Sequence, residues 1–288
     1  MKYIGLSEYF ISKYGGKVRK ICIDGGFTCP NRDGTCSEGG CIFCGGRGAG
    51  EHIAEDLTIT EQVKAYFENP PAAAGYIAYF QNFTNTYAPI PVLKERYDRA
   101  LIDDRIVALS IGTRPDCINR EVVRLLASYK DKVDVFCELG LQTASDKIAE
   151  IINRGYKTEV FESAVELLAD YGIETVAHIM IGLPAETMKE LEETVELINR
   201  NRVSGIKIHS VYVMEGTMLA DMYRRGEYTP ISMEEYISRA VYVLSHLRSD
   251  IVVHRITGDC PRALLVAPEW NVRKNEVINE IRRRLACL

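Results

Sequence analysis

The 288-residue sequence lacks an apolar run long enough to cross a bilayer, and its start, MKYIGLSEYF, lacks the continuous apolar segment of a secretory signal. We therefore expect a cytoplasmic protein with no membrane partner. The sequence also lacks a basic excess, since its formal net charge is −5, whereas a nucleic-acid-binding surface is usually basic. The stretch from Ile251 differs, with seven Lys and Arg against four Asp and Glu. We interpret its densest basic run, 282–284, as a solvated helix face.

Without a secretory signal, disulfide bonds are not expected, because cytoplasmic thiols stay reduced. The nine cysteines therefore indicate metal binding or catalysis more than cross-linking. Five of them are scattered along the chain, and we interpret these as small buried apolar residues: Cys22, Cys117, Cys137, Cys260 and Cys287.

The other four cysteines share one loop, 29–44, which reads CPNRDGTCSEGGCIFC. Cys29, Cys41 and Cys44 have the spacing C-x11-C-x2-C, and Cys36 lies between them. Glycines in the loop allow its backbone to bend tightly. Clustered thiolates are the usual ligands of iron–sulfur clusters. Three ligands on a four-iron cluster would leave one iron open for chemistry.

Spacing alone leaves other interpretations open. Structural zinc usually takes two C-x2-C pairs, and this loop has one, but four close cysteines still permit zinc. The thiols could also be free. Within the iron–sulfur interpretation, Cys36 with Cys41 and Cys44 gives C-x4-C-x2-C, an alternative ligand set.

The loop resembles the cluster loop of radical S-adenosylmethionine (SAM) enzymes, including an aromatic residue, Phe43, just before the last cysteine. The long spacing between the first two of these cysteines, Cys29 and Cys41, resembles the spacing found in the branch that contains the Elongator catalytic subunit. The sequence CPNRDG followed by GGCIFC resembles the corresponding sequence of the YhcC/YtqA-like subfamily of that branch. The resemblance implies that Cys29, Cys41 and Cys44 hold a 4Fe–4S cluster, that Cys36 is extra, and that Phe43 belongs to the cofactor site. It also implies SAM as second cofactor and a reducing partner such as a flavodoxin or ferredoxin.

Short, apolar, β-branched segments alternate with helical patterns along the chain, which is typical of a parallel sheet covered by helices. The predicted strands are 18–23, 75–81, 106–112, 133–139, 174–181 and 205–213, with a further strand at 251–255. The predicted helices are 58–69, 91–102, 119–129, 145–153, 158–171, 187–201, 217–225, 232–247 and one from about 274.

This alternation predicts an α/β fold in which right-handed crossovers wind the strands into an open or closed barrel. The resemblance implies a partial (β/α)6 TIM-like barrel of the radical SAM type. We expect residues 1–213 to form the barrel, with the cluster loop at 25–50. Residues 214–288 are then a C-terminal extension that closes the open side and is not an independent domain.

Active sites on such sheets lie at the carboxyl ends of the strands. Many radical SAM enzymes have Gly-Gly-Glu after the second strand; this chain instead has FQNFTNTYAP, which resembles the subfamily and suggests Gln81 as a cofactor contact. Arg114, in TRPD, resembles the Elongator branch. By their places in the related oxygen-independent coproporphyrinogen oxidase pattern, Gln142 and Arg154 would contact SAM and His178 would replace an acidic residue at the ribose.

Each of these residues has a structural alternative. Gln81 could belong to a turn with satisfied amides, and Arg114 could form a local ion pair with Asp116. Arg154 could be a charge near a helix C-terminus, and His178 could be an ordinary core residue.

The sixth strand and the tail supply the candidate substrate contacts. The C-terminal sequence HRITGDCPR, followed by APEW, resembles the corresponding sequence of the YhcC/YtqA-like subfamily. Histidine, arginine and an aromatic ring together suit an anionic, planar or heterocyclic substrate. A structural salt bridge between Arg255 and Asp259 is the alternative. The candidates are His209, Tyr212, His254, Arg255 and Arg262.

The resemblance implies an enzyme in which reductive cleavage of SAM yields a 5′-deoxyadenosyl radical that abstracts hydrogen from substrate. The Elongator branch modifies wobble uridines, which implies a tRNA base as substrate. A small-molecule substrate remains an alternative. A zinc-bearing barrel that binds a nucleotide or RNA without redox activity is the other.

Overall fold

A parallel sheet forms the centre of the computed structural model, which describes residues 3–48, 50, 53 and 56–288. Its spatial order is β1-β9-β7-β6-β5-β4-β3-β2. These strands are β1 (Ile4–Gly5), β2 (Val18–Ile23), β3 (Gly75–Phe80), β4 (Ile106–Thr113), β5 (Asp134–Gln142), β6 (Glu174–Ile181), β7 (Gly205–Ser210) and β9 (Val252–Arg255). An antiparallel pair joins β8 (Val213–Met214) to β10 (Leu265–Ala267).

The helices follow the strands as the sequence predicts, and their starts carry the expected caps. The Thr58 side chain accepts a hydrogen bond from the Glu61 amide, and the Thr58 amide donates to the Glu61 carboxylate at 2.8 Å, which completes a capping box. The helices are α1 (Leu6–Tyr14), α2 (Ile59–Glu68), α3 (Ile90–Ala100), α4 (Arg120–Ala127), α5 (Asp146–Ile151), α6 (Thr158–Asp170), α7 (Met188–Arg200), α8 (Met218–Arg224), α9 (Met233–His246) and α10 (Lys274–Ala286). None of the helices in the described ranges combines the length and apolar character needed to cross a bilayer.

The predicted fold class is confirmed, and the sheet is larger than expected. Strands β2 to β7 pair in chain order and in parallel. Two further strands extend the sheet: β9 pairs with β7, and β1 pairs with β9. Val252 and Val253 of β9 are buried and pair with β7. This part of the tail is therefore a strand of the sheet, whereas the sequence predicts only that the tail closes the open side of the barrel. Strand β1 has only two residues, which is too short for a periodic signal.

The predicted strand 205–213 is wrong in its last part. The hydrogen-bonded strand ends at Ser210, where the tail crosses it. The amide of Gly258 donates to Ser210 Oγ at 3.1 Å, and a Cβ on Gly258 would lie 2.7 Å from the Ser210 carbonyl oxygen. Val213 and Met214 then pair with the tail strand β10. The predicted division into a barrel of residues 1–213 and a dependent C-terminal extension of residues 214–288 stays a prediction.

Successive side chains along each strand point to opposite faces of the sheet, and the two faces have different surroundings. One set of side chains packs with the helices in the main apolar core, which includes Phe80, Leu109, Leu139, Ile179 and Ile208. The other set faces the inside of the curved sheet. At the start of the strands, that inner face is apolar, because Phe10 of α1 packs there with Ile77, Ala108 and Phe136.

Farther along the strands, the interior holds a buried charged group. The Glu138 side chain is 1% exposed. Its Oε1 accepts from Ser110 Oγ at 2.9 Å and Lys20 Nζ at 3.2 Å. Its Oε2 accepts from Lys207 Nζ and lies 2.8 Å from His178 Nε2. Burial opposes ionisation, but Lys20 and Lys207 hold the pKa of Glu138 well below its usual range.

Removing one partner of this buried pair leaves a charge without compensation. We expect Lys207→Met to lower the free energy of unfolding by about 3 kcal/mol, the lower end for a broken buried pair, because Lys20 remains beside Glu138. The double variant Lys207→Met/Glu138→Gln should recover most of that loss. Anaerobic urea unfolding of the apoprotein measures both.

Lys189→Met is the matched control, because Lys189 is 78% exposed and its loss should change little. Equal stability of the Lys207 variant and the wild type would contradict this account of the interior.

Candidate functional site

A cavity of about 570 Å³ opens at the carboxyl ends of the strands. Its size falls in the usual range for ligand pockets. Eleven of the fourteen predicted site residues line it: Cys29, Cys41, Cys44, Phe43, Gln81, Arg114, Gln142, His178, His209, Tyr212 and Arg255. The structure therefore brings together side chains that lie up to 226 positions apart in the sequence, from Cys29 to Arg255.

Three cysteines of the loop face this cavity and the fourth does not. Cys29, Cys41 and Cys44 are among its lining residues. Burial, together with the nearby thiols of Cys44 and Cys29, raises the pKa of Cys41 to about 12. Cys36 is exposed, and its Sγ lies 3.9 Å from Asp116 Oδ2. The chemistry of this donor set suits a cationic iron–sulfur group, which would stabilise the thiolates.

In the part of the chain that the structure describes, no three His, Cys, Asp or Glu side chains are grouped as ligands of a single metal ion. A four-iron cluster differs from a single ion because each thiolate binds a different iron. Its three ligands surround the cluster and do not converge on one point.

Hydrogen bonds within the loop set the positions of the cysteine backbone. The amide of Cys44 donates to the Cys41 carbonyl at 2.9 Å, which forms a tight turn. The Arg32 guanidinium donates to the carbonyls of Cys44 and Gly45 at 2.9 and 2.5 Å. The same guanidinium lies over the Phe83 ring, 5.3 Å from its centroid. Arg32, which also lines the cavity, thus fixes the main chain at the last cysteine.

A second set of hydrogen bonds fastens the loop to the turn after α5, residues 152–155. Asn31 Nδ2 donates to the Asn153 carbonyl at 2.7 Å, and Asn153 Nδ2 donates to the Gly40 carbonyl at 2.8 Å. The Gly40 amide donates to the Asn31 carbonyl at 2.7 Å. Asn153 has φ +51°, a left-handed conformation that asparagine tolerates better than most residues. The Asn-Arg-Gly sequence therefore forms part of the support of the cysteine loop.

Arg154 is not brought to the cavity, and the expected SAM contact is corrected here. The residue is fully buried and is absent from the cavity lining. Its Nη1 donates to the carbonyls of Leu141 and Thr143 at 2.6 and 2.7 Å, and its Nη2 donates to Thr158 Oγ1 at 3.1 Å. The guanidinium binds the end of β5 and the start of α6, so it is not a solvated charge near a helix end either.

Arg114 combines the two roles that the sequence left open. It forms the local pair with Asp116, at 2.9 and 2.6 Å, and it also lines the cavity. Burial opposes its charge, but Asp116 raises the pKa of the guanidinium. Its Nη1 donates to the Arg154 carbonyl at 2.9 Å, so its position is fixed before any ligand binds.

The two glutamines lie at strand ends on the cavity wall, as predicted. Gln142 ends β5 with φ +60°, beside a break in the β5–β6 register. Such a conformation is uncommon for glutamine and is often found at functional sites. Tyr156 Oη donates to the Gly140 carbonyl at 2.5 Å and lies 3.2 Å from Gln142 Oε1. Tyr156 too lines the cavity.

Two neutral histidines lie side by side on the wall. His178 is held by Glu138, and burial together with Lys207 lowers the pKa of His178 to about 4. The His209 ring centroid lies 5.3 Å from that of His178. Burial lowers the pKa of His209 as well. His209 Nε2 is buried without a hydrogen-bond partner in the described structure, so it is available to a ligand.

The tail residues divide between the cavity and its surroundings. Arg255 lines the cavity, whereas His254 and Arg262 do not, which corrects the predicted substrate set. The His254 ring packs against Phe136, at 6.4 Å between centroids, and Arg262 is exposed. The alternative pair of Arg255 with Asp259 is also wrong, because Asp259 forms its ion pair with Lys274.

Several residues that line the cavity are not predicted as site residues by the sequence. Among them are Tyr79, Glu138, Tyr156 and Lys207, together with Cys22 and Cys260, which the sequence predicts only as buried apolar residues. A signal existed in two cases: Glu138 lies within VFCELGL and Lys207 within GIKIHS, and charged residues inside apolar strands need a buried partner.

Two basic side chains, Lys207 and Arg255, line the cavity, and Lys20 reaches Glu138 from β2. Burial lowers the pKa of Lys207 well below its usual range, and the neighbouring Glu138 carboxylate opposes that shift. Glu138 pairs with both lysines, and Asp259 pairs with Lys274. The Nζ atoms of Lys20 and Lys207 lie 4.5 and 4.4 Å from the centroid of the Tyr79 ring.

Comparison with known families and proteins agrees with this arrangement. Residues 32–198 match the model of the Radical SAM superfamily, and residues 203–286 match that of the Radical_SAM C-terminal domain. The uncharacterized protein YtqA of Bacillus subtilis is 38% identical over 288 residues, which cover 99% of this chain and 89% of YtqA.

Two further similarities concern the Elongator branch. A tRNA uridine(34) acetyltransferase of Methanocaldococcus jannaschii is 34% identical over 168 residues, 57% of this chain and 30% of that protein. The structure of Methanocaldococcus infernus Elp3 with an N-terminal deletion aligns with a TM-score of 0.70 at 21% identity, over 93% of this chain and 63% of that chain. The second likeness concerns the fold alone.

The family matches, the YtqA likeness and the cysteine-lined cavity agree. The chain belongs to the radical SAM superfamily, whose enzymes use a 4Fe–4S cluster and S-adenosylmethionine.

Proposed function

We propose that Cys29, Cys41 and Cys44 hold the 4Fe–4S cluster and leave one iron open towards the cavity. The observation that carries this proposal is that these three cysteines line the cavity while Cys36 lies outside it. When bound, the cluster and SAM supply a 5′-deoxyadenosyl radical that abstracts hydrogen from the substrate. The protein orients both partners and keeps water away.

The cofactor side of the cavity follows from the same lining. We assign SAM to the wall that carries Phe43, Gln81, Arg114, Gln142 and His178. Glutamine amides and a fixed guanidinium bind carboxylate and hydroxyl groups. Arg154 is left out of this set, because its donors are used by protein carbonyls and Thr158.

The remaining wall is assigned to substrate, with His209, Tyr212 and Arg255 as contacts. The basic side chains that line the cavity favour a substrate that carries an anionic or strongly polar heterocyclic group. We propose a uridine base at the wobble position of tRNA. Two observations support this: the partial likeness to a tRNA uridine(34) acetyltransferase, and a cavity that would require the base to leave its stack.

Two of the three arginines in the basic run of α10 are engaged in ion pairs and offer little free cationic surface for RNA. Arg283 donates to Glu280 at 2.7 Å, and Arg284 donates to both Glu234 and Glu280. These pairs favour the solvated-face interpretation. We therefore propose that tRNA contacts the mouth of the cavity, or is delivered by a partner, and that a flavodoxin or ferredoxin in the cytoplasm supplies the electron.

The ligand assignment predicts which cysteine matters. We expect Cys29→Ala, Cys41→Ala and Cys44→Ala each to lose the cluster on anaerobic reconstitution, because three thiolates are the minimum that hold it. Cys36→Ala is the matched control and should keep it. Iron and sulfide content and the visible absorbance of the cluster measure the outcome.

A cluster that survives Cys29→Ala but not Cys36→Ala would reverse the assignment. A colourless wild-type protein that binds one zinc would sink the cluster proposal and favour the zinc-bearing alternative.

The substrate proposal predicts a change in tRNA. In a strain that lacks the gene, we expect one wobble-uridine derivative to disappear and its precursor to accumulate, because the hydrogen abstraction that converts one into the other is lost. Mass spectrometry of tRNA nucleosides measures this. The intact gene should restore the wild-type profile, and the Cys41→Ala gene should not. Identical profiles in all strains would exclude the tRNA substrate and leave a small molecule.

A further inference from the structure

We propose that Asn31 is a positioning residue that donates an N–H···S hydrogen bond to Cys41 and thereby raises the reduction potential of the bound cluster. The inference rests on the assignment of Cys41 as a cluster ligand. It adds a specific task to a residue that the family resemblance does not single out.

The contact is direct. Asn31 Nδ2 lies 3.6 Å from Cys41 Sγ, within the range of hydrogen bonds to sulfur, and 2.7 Å from the Asn153 carbonyl oxygen. An amide nitrogen carries two hydrogens. One therefore serves the carbonyl and the other serves the sulfur, and no donor on this side chain is left over.

The orientation of the amide is fixed by its surroundings. Asn31 is fully buried, and its main-chain carbonyl accepts from the Gly40 amide at 2.7 Å. Its Oδ1 lies so close to Gly155 that a Cβ there would be 2.4 Å from it. Rotating the amide by half a turn would place Oδ1 against the Asn153 carbonyl oxygen, where two acceptors repel. The geometry therefore holds the N–H towards Cys41.

The amide oxygen gives a second, independent indication. Asn31 Oδ1 is buried and has no hydrogen-bond partner in the described structure. Buried polar atoms are nearly always paired, so an unpaired one needs a reason. An apolar side chain at this position would avoid the unpaired oxygen but would lose both donors. The arrangement indicates that the N–H groups are what the site requires.

The effect on the cluster follows from electrostatics. Reduction adds one negative charge to the cluster and its thiolates. A hydrogen-bond donor aimed at a ligand sulfur stabilises that charge, and such bonds are among the determinants of cluster potentials. A higher potential makes the cluster easier to reduce by the electron donor, so Asn31 would favour the first step of each turnover.

Two substitutions at Asn31 separate the lost donor from an added charge. Asn31→Ser is neutral and too short to reach both acceptors; Asn31→Asp keeps the shape but replaces the donor with a carboxylate. In anaerobic EPR-monitored titrations, we expect Asn31→Ser to disfavour the reduced state about tenfold, a shift of about −59 mV for one electron. Asn31→Asp should shift the potential further. Both variants also lose the bond to the Asn153 carbonyl that anchors the loop, so their iron content should be lower than that of the wild type, and the potential is measured on the loaded fraction.

Asn153→Gly is the matched control. It removes the side-chain bonds from Asn153 to Glu38 and Gly40 but keeps the left-handed backbone and the carbonyl that orients Asn31. Its cluster content should be lower than that of the wild type, and the potential of the loaded fraction should equal that of the wild type.

Three results would overturn the inference. The first is a wild-type potential in Asn31→Ser. The second is a shift in Asn31→Asp alone, which would be due to charge. The third is complete loss of iron in both Asn31 variants with full loading of Asn153→Gly, which would show a purely structural role. Retention of the cluster by Cys41→Ala would instead remove the ligand assignment on which the inference rests.

Discussion

The attachment of the cysteine loop to the turn after α5 is the constraint on which the site depends. Loop 29–44 has little regular structure of its own, and Asn31, Gly40 and Asn153 fasten it by side-chain and main-chain hydrogen bonds. Arg154 fixes that turn in its place by binding the end of β5. The cysteines therefore reach the cavity because a buried arginine and two asparagines hold their loop there. The protein sets the geometry in advance, and the cofactor supplies the chemistry.

The interior of the sheet complements this loop. Phe10 of α1 packs against the apolar start of the strands, and Glu138 neutralises part of the lysine charge above it. Burying these charged groups carries a desolvation penalty, and an interior of packed apolar residues would avoid that penalty. Glu138 contacts His178, and His178 lies beside His209. The pKa values of both histidines are lowered, so both are neutral, and Glu138 helps to set the orientation of His178 on the cavity wall.

The fold and much of the site could be predicted from sequence because both depend on local signals. Alternating strands and helices, capping residues such as Thr58 and the cysteine spacing are all visible in a short window. Arg154 was misinterpreted because its partners are main-chain carbonyls, which carry no sequence signature. His254 and Arg255 are neighbours in β9, and the one that lines the cavity is set by the register of β9 in the sheet, which the sequence does not give. Glu138 and Lys207 were visible as charges inside apolar strands, but their pairing requires the three-dimensional sheet.

The central claim is that three loop cysteines hold a cluster whose fourth iron faces the cavity. A crystal structure of the anaerobically reconstituted protein with SAM, with iron located by anomalous scattering, tests it most directly. The account predicts four iron positions, with Cys29, Cys41 and Cys44 each bound to one iron and the methionyl group of SAM on the fourth. A single metal ion, or a cluster with Cys36 as a protein ligand, would contradict it.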